Sequence, residues 1–270
     1  MKKLLLPIFV SFAFLWYVQV LLIQILTVLL NIDEITWQWV IMRLQSNSFW
    51  MNILLGVIAF GVGVVINIFI AHIKKLEKKK ILHILVIIVV MLVSIDQTVQ
   101  LIMVRHHEAI GVIPLVEGWL EIRPIHVRQL AEYGFTGKGS MPIPVHLLLV
   151  GFVAIICYFL FRVIRHVCQS KSHLYASLVF YIAGIISSIS NGIFHDLGYD
   201  FIYIHPIIII NIMDIYLYIG IALLIQACLV NYESLKPLKD KDLLPYLRYE
   251  LGLIKNFVLR QGRAKAGGVQ

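Results

Sequence analysis

The sequence predicts an all-α, polytopic membrane protein with about six transmembrane helices. Hydrophobic residues make up 60% of the 270 residues and charged residues only 14%, and the mean hydropathy is +0.88. Apolar stretches of about 20 residues recur along the chain, and each is long enough, at about 1.5 Å per residue, to cross about 30 Å of hydrocarbon. Soluble domains carry about 25% charged residues and lack such stretches, so a soluble fold is excluded.

The predicted spans lie at 4–30, 51–73, 81–104, 145–167, 174–194 and 205–230. The first begins like a secretory signal, directly after Lys2 and Lys3. Its apolar run is, however, about twice as long as the central region of a signal peptide, and it lacks a small-residue cleavage site. It is therefore predicted to remain as a transmembrane helix.

The distribution of basic residues predicts the orientation. With the N-terminus in the cytoplasm, 18 of the 23 lysines and arginines fall on the cytoplasmic side. By the positive-inside rule, both termini are then cytoplasmic. This arrangement also accounts for the net charge of +8 without a nucleic-acid partner, so none is predicted. The five basic residues left outside are Arg43, Arg105, Arg123, Arg128 and Lys138.

Two segments outside the spans carry recognisable patterns. The outer segment 105–144 is the only long loop, and residues 119–123 within it are predicted to form a short strand between Gly118 and Pro124. In the basic tail, apolar residues recur at helical spacing between residues 236 and 260. That pattern suits an amphipathic helix on the inner membrane surface or a solvated helix, and both alternatives remain open.

Carboxylates inside the apolar spans are the first candidates for function, because ionisable residues in a membrane are costly. Asp96 lies in the third span and Asp214 in the sixth, where Asn211 shares its helix face. Asp196 and Asp200 lie at the outer mouth of the hairpin between the fifth and sixth spans. Paired carboxyls can share a proton and activate water. Spacing alone leaves catalysis, structural pairing and cation binding open.

Other reactive residue types give weaker signals. No histidine stands in an HExxH motif or another recognised ligand spacing, and the three cysteines form no CxxC pattern. No metal site or disulfide is therefore predicted. Ser187, Ser188 and Ser190 are predicted to pack helices closely, as small hydroxyl residues commonly do in membranes.

Several motifs follow one another between residue 81 and about residue 231. The segment NIMDIYLYIG at 211–220 has an asparagine, an aspartate three residues later and a closing Ile-Gly, and DFI lies at 200–202. Upstream are DQT at 96–98 and IPLVEGWLEI at 113–122. Together they resemble the prolipoprotein signal peptidases, the signal peptidase II family of four-helix membrane aspartic peptidases.

Some positions differ from the family pattern. Gln100 stands where the family usually has lysine, and Asn191 stands where an aspartate is usual. Only Arg128 and Gln129, with a later Gly-Phe pair, approximate the family's Arg-Asn-x-Gly segment. The interval from Asp200 to Asp214 is also shorter than usual. Asp196 is therefore kept as the alternative first aspartate.

The resemblance implies a membrane aspartic endopeptidase that removes signal peptides from diacylglyceryl-modified prolipoproteins at the lipobox cysteine. It implies Asp200 and Asp214 as the catalytic pair, with no cofactor. The enzyme would lie in the bacterial inner membrane with its active site at the extracytoplasmic face. The alternative function is a non-catalytic, signal peptidase II-like binding or accessory protein. The implied substrate-binding residues are Asp96, Arg128, Gln129, Ser188, Asn191 and Asn211.

The same comparison predicts three segments. Residues 1–80 form an additional transmembrane hairpin and a basic cytoplasmic loop. Residues 81–231 form the four-helix peptidase-like core with a small extracytoplasmic β element, and residues 232–270 form the basic tail. The implied partners are a lipid-modified prolipoprotein and the phospholipid bilayer, and no oligomeric state is predicted.

Overall fold

The computed structural model describes residues 2–19, 21, 48–73, 78–117, 119–127, 142–167, 171–204 and 208–232. Within these residues, five helices are long and apolar enough to cross a membrane, and a shorter apolar helix covers Leu5–Gln19. The predicted polytopic helical fold is confirmed. The helices are α1 (Lys2–Ile8), continued by a π-helical segment (Phe9–Phe14), α2 (Ser48–Ile73), α3 (Lys78–Ile110), α4 (Ile143–Val167), α5 (Ser172–Phe194) and α6 (Ile212–Val230).

Four short strands form one antiparallel sheet in the order β1-β2-β3-β4. The strands are β1 (Ile113–Val116), β2 (Leu120–His126), β3 (Tyr199–Ile204) and β4 (Ile208–Ile210). The strand predicted at 119–123 is present as β2, but it begins at Leu120 and continues through Pro124 to His126. The sheet joins the segment after α3 to the segment before α6, because β2 pairs with β3 and sets Ile125 opposite Asp200.

The start of the sixth span differs from the prediction. The span was expected from residue 205, but Ile208–Ile210 is a strand and α6 begins at Ile212. β-branched residues pack well on a pleated surface, and here Ile202 of β3 pairs with Ile210. A short apolar run fits a strand or a helix equally well. The start of α6 therefore depends on the pairing of Ile208–Ile210 with β3.

Small residues allow α5 and α6 to pack closely. A Cβ atom at Gly184 would lie 2.7 Å from a methyl carbon of Leu217. Further along, the Ser177 hydroxyl donates to the carbonyl oxygen of Gly220 at 2.7 Å. Close backbone approach and hydroxyl-to-carbonyl bonds are the usual means of holding membrane helices together.

The N-terminal helix packs on α2 and α6. A Cβ atom at Gly56 would overlap the Tyr17 ring, and one at Gly63 would lie 2.7 Å from the Phe12 ring. The Tyr218 hydroxyl of α6 donates to the carbonyl oxygen of Phe12. These contacts join the N-terminal segment to the helix that carries the NIMD motif.

A buried polar cluster joins α2 to α5 and α6. The Asn67 amide donates to Gln226 Oε1 at 3.1 Å and accepts from Gln226 Nε2 at 2.7 Å. The His173 Nε2 atom lies 2.9 Å from Asn67 Oδ1. All three side chains are buried. Removal of α2 would remove Asn67 and leave buried polar atoms of Gln226 and His173 without this hydrogen-bond partner, which is costly in hydrocarbon.

The two amides predict an energetic coupling between α2 and α6. Asn67→Leu or Gln226→Leu alone leaves the other amide without its partner, and each should destabilise the protein by roughly 1–2 kcal/mol. The double variant should lose less than the sum, with a coupling of about 1 kcal/mol. Reversible unfolding in mixed micelles measures the free energy of unfolding of the unaltered protein, the two single variants and the double variant. Thr98→Val, an exposed substitution on α3, should combine additively with Asn67→Leu, and full additivity in the Asn67/Gln226 cycle would rule out the coupling.

Several predictions lie outside the described residues. These are the rest of the first span from residue 22, the tail from residue 233, and the loop segment 128–141 with Arg128 and Gln129. The division into an additional hairpin, a core and a tail stays a prediction.

Candidate active site

The asparagine of the NIMD motif caps the N-terminus of α6. Asn211 is the N-cap residue, and its side-chain oxygen accepts a hydrogen bond from the Asp214 amide at 3.1 Å. The Asp214 carboxylate in turn accepts a hydrogen bond from the backbone amide of Asn211 at 3.0 Å. This reciprocal capping box satisfies two amides that a helix N-terminus otherwise leaves unpaired. The three-residue spacing of the motif is therefore a consequence of helix capping.

The same asparagine also holds the carboxyl group of β3. Asn211 Nδ2 donates to Asp200 Oδ1 at 2.8 Å, while Asn211 Oδ1 accepts from the backbone amide of Asp214. The buried side-chain amide of Asn211 thus connects Asp200 of β3 with Asp214 of α6. The antiparallel pairing of β3 with β4 makes this possible, because Ile210 lies opposite Ile202 and Asn211 follows Ile210 directly.

Gln100 of α3 fixes the beginning of β3. Its Nε2 atom donates to the Tyr199 carbonyl oxygen and its Oε1 atom accepts from the Tyr199 amide, both at 2.9 Å. Gly198 has a φ of +80°, and a Cβ atom there would lie 2.8 Å from Gln100 Oε1. The glycine is required twice, for its backbone conformation and for the space that Gln100 occupies. Asp200 follows Tyr199 directly, so this clamp sets its position.

A second polar cluster lies beside the pair, between α3 and α5. Asp96 is buried, and its carboxylate accepts from Gln97 Nε2 at 3.0 Å. The same Gln97 amide donates to Asn191 Oδ1 at 2.7 Å. Ser187 and Asn191 lie beside the Asp96 carboxyl, which is close enough to Asp214 to interact electrostatically. Three carboxyl groups therefore converge on one region.

Parts of this cluster have hydrogen-bonding capacity left. Among the described residues, Asp96 Oδ1, Ser187 Oγ and Asn191 Nδ2 are buried and make no short, well-aligned hydrogen bond, although Ser187 and Asn191 lie within reach of the Asp96 carboxyl. Buried polar atoms usually have partners. A donor and two acceptor-capable oxygens that remain available next to paired carboxyls are suited to the amide groups of a peptide.

Two predicted residues lie apart from the pair. The Ser188 hydroxyl is 3.2 Å from His146 Nε2 and therefore faces α4, whereas its neighbour Ser187 faces Asp96. The Asp196 carboxylate is exposed and lies 3.9 Å from His126 Nε2. Asp200, and not Asp196, is the aspartate that Asn211 contacts.

The sequence analysis assigned no site role to Gln97 or Gln100 and gave Ser187 only a role in helix packing, although a helical signal was present for Gln100 and Ser187. Gln100 follows Asp96 by four residues, and Ser187 precedes Asn191 by four, so each pair shares one helix face. Polar residues in register on an apolar helix indicate a shared polar environment. Gln97 carries no such signal, because only the neighbouring helix reveals its partner.

The electrostatics of Asp200 favour its protonated form. Burial, followed by the negative charge of Asp214, raises the pKa of Asp200 above its ordinary value, against the opposing hydrogen bond from Asn211. The carboxylate of Asp214 accepts an amide hydrogen bond in the first turn of α6, where helix N-termini stabilise negative charge. The described residues contain no group of three His, Cys, Asp or Glu side chains placed to bind a metal.

The fold and this centre define a polytopic membrane protein with a buried pair of carboxyl groups. The family model described as Signal peptidase (SPase) II matches residues 87–230, and the chain belongs to this family. The family consists of aspartic proteases of the bacterial inner membrane that process lipoprotein signal peptides. All the centre's described residues lie within the matched range.

Solved structures give a weaker likeness. Two structures of a bacterial membrane enzyme, obtained by the in meso method at 2.3 Å and 1.9 Å, are each 19% identical to the chain. The first has a TM-score of 0.43 and covers 58% of this chain and 94% of its own. The second has a TM-score of 0.44 and covers 54% and 93%. No curated protein matches the chain.

The raised pKa of Asp200 predicts how stability depends on pH. A carboxyl whose pKa is higher in the folded than in the unfolded protein stabilises the fold fully below the unfolded pKa, and this contribution is lost as pH rises through the folded pKa. Asp200→Asn removes the titrating group. Thermal unfolding between about pH 5 and about pH 9 should show a smaller alkaline loss of stability in the variant than in the unaltered protein. Asp196→Asn, at an exposed carboxyl, is the control, and parallel curves for Asp200→Asn would contradict the assignment.

Proposed function

We propose that the protein is a membrane aspartic endopeptidase that cleaves diacylglyceryl-modified prolipoproteins at the lipobox cysteine. The observation that carries the proposal is the Asn211 amide, which connects Asp200 to Asp214 within the region that matches the family. Paired carboxyls with unequal surroundings are the standard arrangement for acid–base attack by water. The family membership supports the substrate class.

In the proposed mechanism the two aspartates have different roles. Asp200 holds its proton and donates it to the scissile carbonyl oxygen, while Asp214 takes a proton from the water that attacks the carbonyl carbon. The attack forms a C–O bond and a tetrahedral diol. Asp214 then gives its proton to the amide nitrogen and Asp200 takes a proton back from a diol hydroxyl, so the carbonyl double bond re-forms as the C–N bond breaks and the signal peptide is released. Asn211 keeps both carboxyls oriented throughout.

Substrate contacts are proposed for Asp96, Ser187 and Asn191, which have buried polar atoms available for a peptide backbone. Ser188, Arg128 and Gln129 stay proposals from the family resemblance. Next to this cluster, at the end of α5, Ile193 and Phe194 are 55% and 74% exposed. An apolar rim of this kind suits a substrate that arrives from the bilayer with its lipid attached. We propose that β1, whose four residues are all exposed, belongs to a lid over the cleft.

The segment 1–80 is proposed to stabilise this core without taking part in the chemistry. Its described spans carry no Asp, Glu, Lys or Arg between residues 4 and 19 or between residues 48 and 73. A polar contact from Asn67 links them to α6 in the matched region, while the Tyr17 hydroxyl bonds within the segment, to Ile53. Removal of the segment is therefore expected to lower stability first.

Replacement of either aspartate tests the mechanism. Asp200→Asn and Asp214→Asn keep the size of the side chain but remove the shared proton, so each should lower turnover by at least about a thousandfold. The double variant should be no worse than either single variant, because the pair acts as a unit. The assay is cleavage of a diacylglyceryl-modified precursor by purified protein, with mass spectrometry of the products.

Asp196→Asn is the matched control for this assay. Its carboxylate is exposed and outside the pair, so it should retain most of the activity. Substantial turnover by Asp214→Asn would exclude the mechanism. A protein that binds the precursor without cleaving it, and still binds it after both replacements, would instead be the non-catalytic accessory protein.

Gln100 provides a test of positioning. Gln100→Met keeps the shape of the side chain but removes both bonds to Tyr199, and should lower kcat by about tenfold or more with a smaller change in KM. The alkaline limb of the pH–rate profile should also move, because Asp200 changes its surroundings. Thr98→Val on the exposed side of α3 should change neither. An unchanged pH profile in a less active variant would indicate a general structural effect.

The orientation is also a proposal: both termini cytoplasmic and the centre at the extracytoplasmic face. It rests on the distribution of basic residues. In a background without the native cysteines, Leu115→Cys in β1 should react with a membrane-impermeant maleimide from outside. Tyr232→Cys, after α6, should react only after permeabilisation. The reverse pattern would invert the orientation.

A further inference from the structure

The sheet face that carries Asp200 also carries an apolar cluster. Side chains alternate between the two faces along a strand, so Asp200, Ile202 and Ile204 of β3 share one face. Ile204 is buried at the centre of the cluster. The side chains packed against it are Leu120, Ile202 and Ile210 of the sheet, Leu55 of α2 and Trp16 of the apolar helix Leu5–Gln19.

This cluster supports the strand pairing that brings Asn211 to Asp200. Ile202 follows Asp200 by two residues and lies opposite Ile210 of β4, and Asn211 follows Ile210 directly. Both isoleucines belong to the cluster around Ile204. A loss of packing there would therefore act on the hydrogen bond between Asn211 Nδ2 and Asp200 Oδ1.

Trp16 also contacts the helix that carries the second aspartate. Its ring meets the Tyr218 ring edge to face, with the centroids 5.9 Å apart and an angle of 85° between the planes. Tyr218 follows Asp214 by four residues, so the two lie on one face of α6. The Tyr218 hydroxyl is itself held by the carbonyl oxygen of Phe12. Trp16 therefore connects β3 to α6, the two elements that carry the aspartates.

We propose that Trp16 is a positioning residue that sets the separation of Asp200 and Asp214. It acts through Ile204 and Tyr218, on which it packs, and its large ring spans a gap that a smaller apolar side chain would leave open. Trp16 lies before residue 87, where the match to the family begins, so this contact comes from outside the matched region. This role rests on the proposed function only for its kinetic test.

The kinetic test compares replacements of Trp16 in the full-length protein. Trp16→Leu should lower kcat by about tenfold or more and change KM by about twofold or less, because a misplaced pair slows the chemical step more than binding. Trp16→Phe should restore most of the kcat. It keeps an aromatic ring, and within the described part of the chain the indole N–H makes no short, well-aligned hydrogen bond that phenylalanine would lose.

Phe12→Leu is the matched control. Phe12 is a buried aromatic residue of the same segment, but it packs against Gly63 of α2 and in a cluster without strand residues. Its replacement should lower stability as much as Trp16→Leu does and leave kcat unchanged. In an active protein, an unchanged kcat in Trp16→Leu would overturn the positioning role.

The pH dependence of stability tests the same role without a substrate. Burial, and then the charge of Asp214, raises the pKa of Asp200, so its contribution to stability is full below the unfolded pKa and is lost as pH rises through the folded pKa. Trp16→Leu should let this pKa fall towards its ordinary value. Thermal unfolding between about pH 5 and about pH 9 should then show a smaller alkaline loss of stability, whereas Phe12→Leu should give a lower but parallel curve.

The two measurements separate the possible failures. Parallel pH curves for Trp16→Leu and the unaltered protein would overturn the positioning role, whatever the activity. A flattened curve in a protein that cleaves no precursor would support the positioning role and count against the peptidase instead. If Trp16→Leu does not fold, Ile204→Val removes one methyl group from the same contact and should flatten the curve by a smaller amount. A parallel curve for Ile204→Val would equally overturn the role.

Discussion

The candidate centre depends on one side-chain amide. Asn211 uses its oxygen to cap α6 and its nitrogen to hold Asp200, while its own backbone amide donates to Asp214. No other short side chain offers both an acceptor and a donor in this geometry: aspartate lacks the donor, and serine lacks the reach. The position of the aspartate pair is therefore linked to the formation of the helix, since the bonds that begin α6 are also the bonds that orient the aspartates.

Around this amide, the constraint is that buried polar groups in a membrane need partners. The protein meets it with two separate clusters. One contains Asp96, Gln97 and Asn191 and adjoins the aspartate pair, whereas the other contains Asn67, His173 and Gln226. In the second, the Asn67 and Gln226 amides satisfy each other, as expected of a structural contact. The first differs in its position, because it adjoins the aspartate pair.

The sequence by itself determined the membrane-spanning class, the approximate helices and the one-turn spacing of Asn211 and Asp214. Helix spans follow from local composition, and the NIMD spacing of Asn211 and Asp214 follows from the geometry of a single helix turn, so neither needs the rest of the molecule. Tertiary structure decided what depends on a distant partner. Ile208–Ile210 is a strand because it pairs with β3. Gln100 positions β3 because it lies within hydrogen-bond distance of the Tyr199 backbone. Ser187 faces Asp96, whereas its neighbour Ser188 faces His146. In each case the residue type permits several roles, and only a contact from another element of the chain selects one.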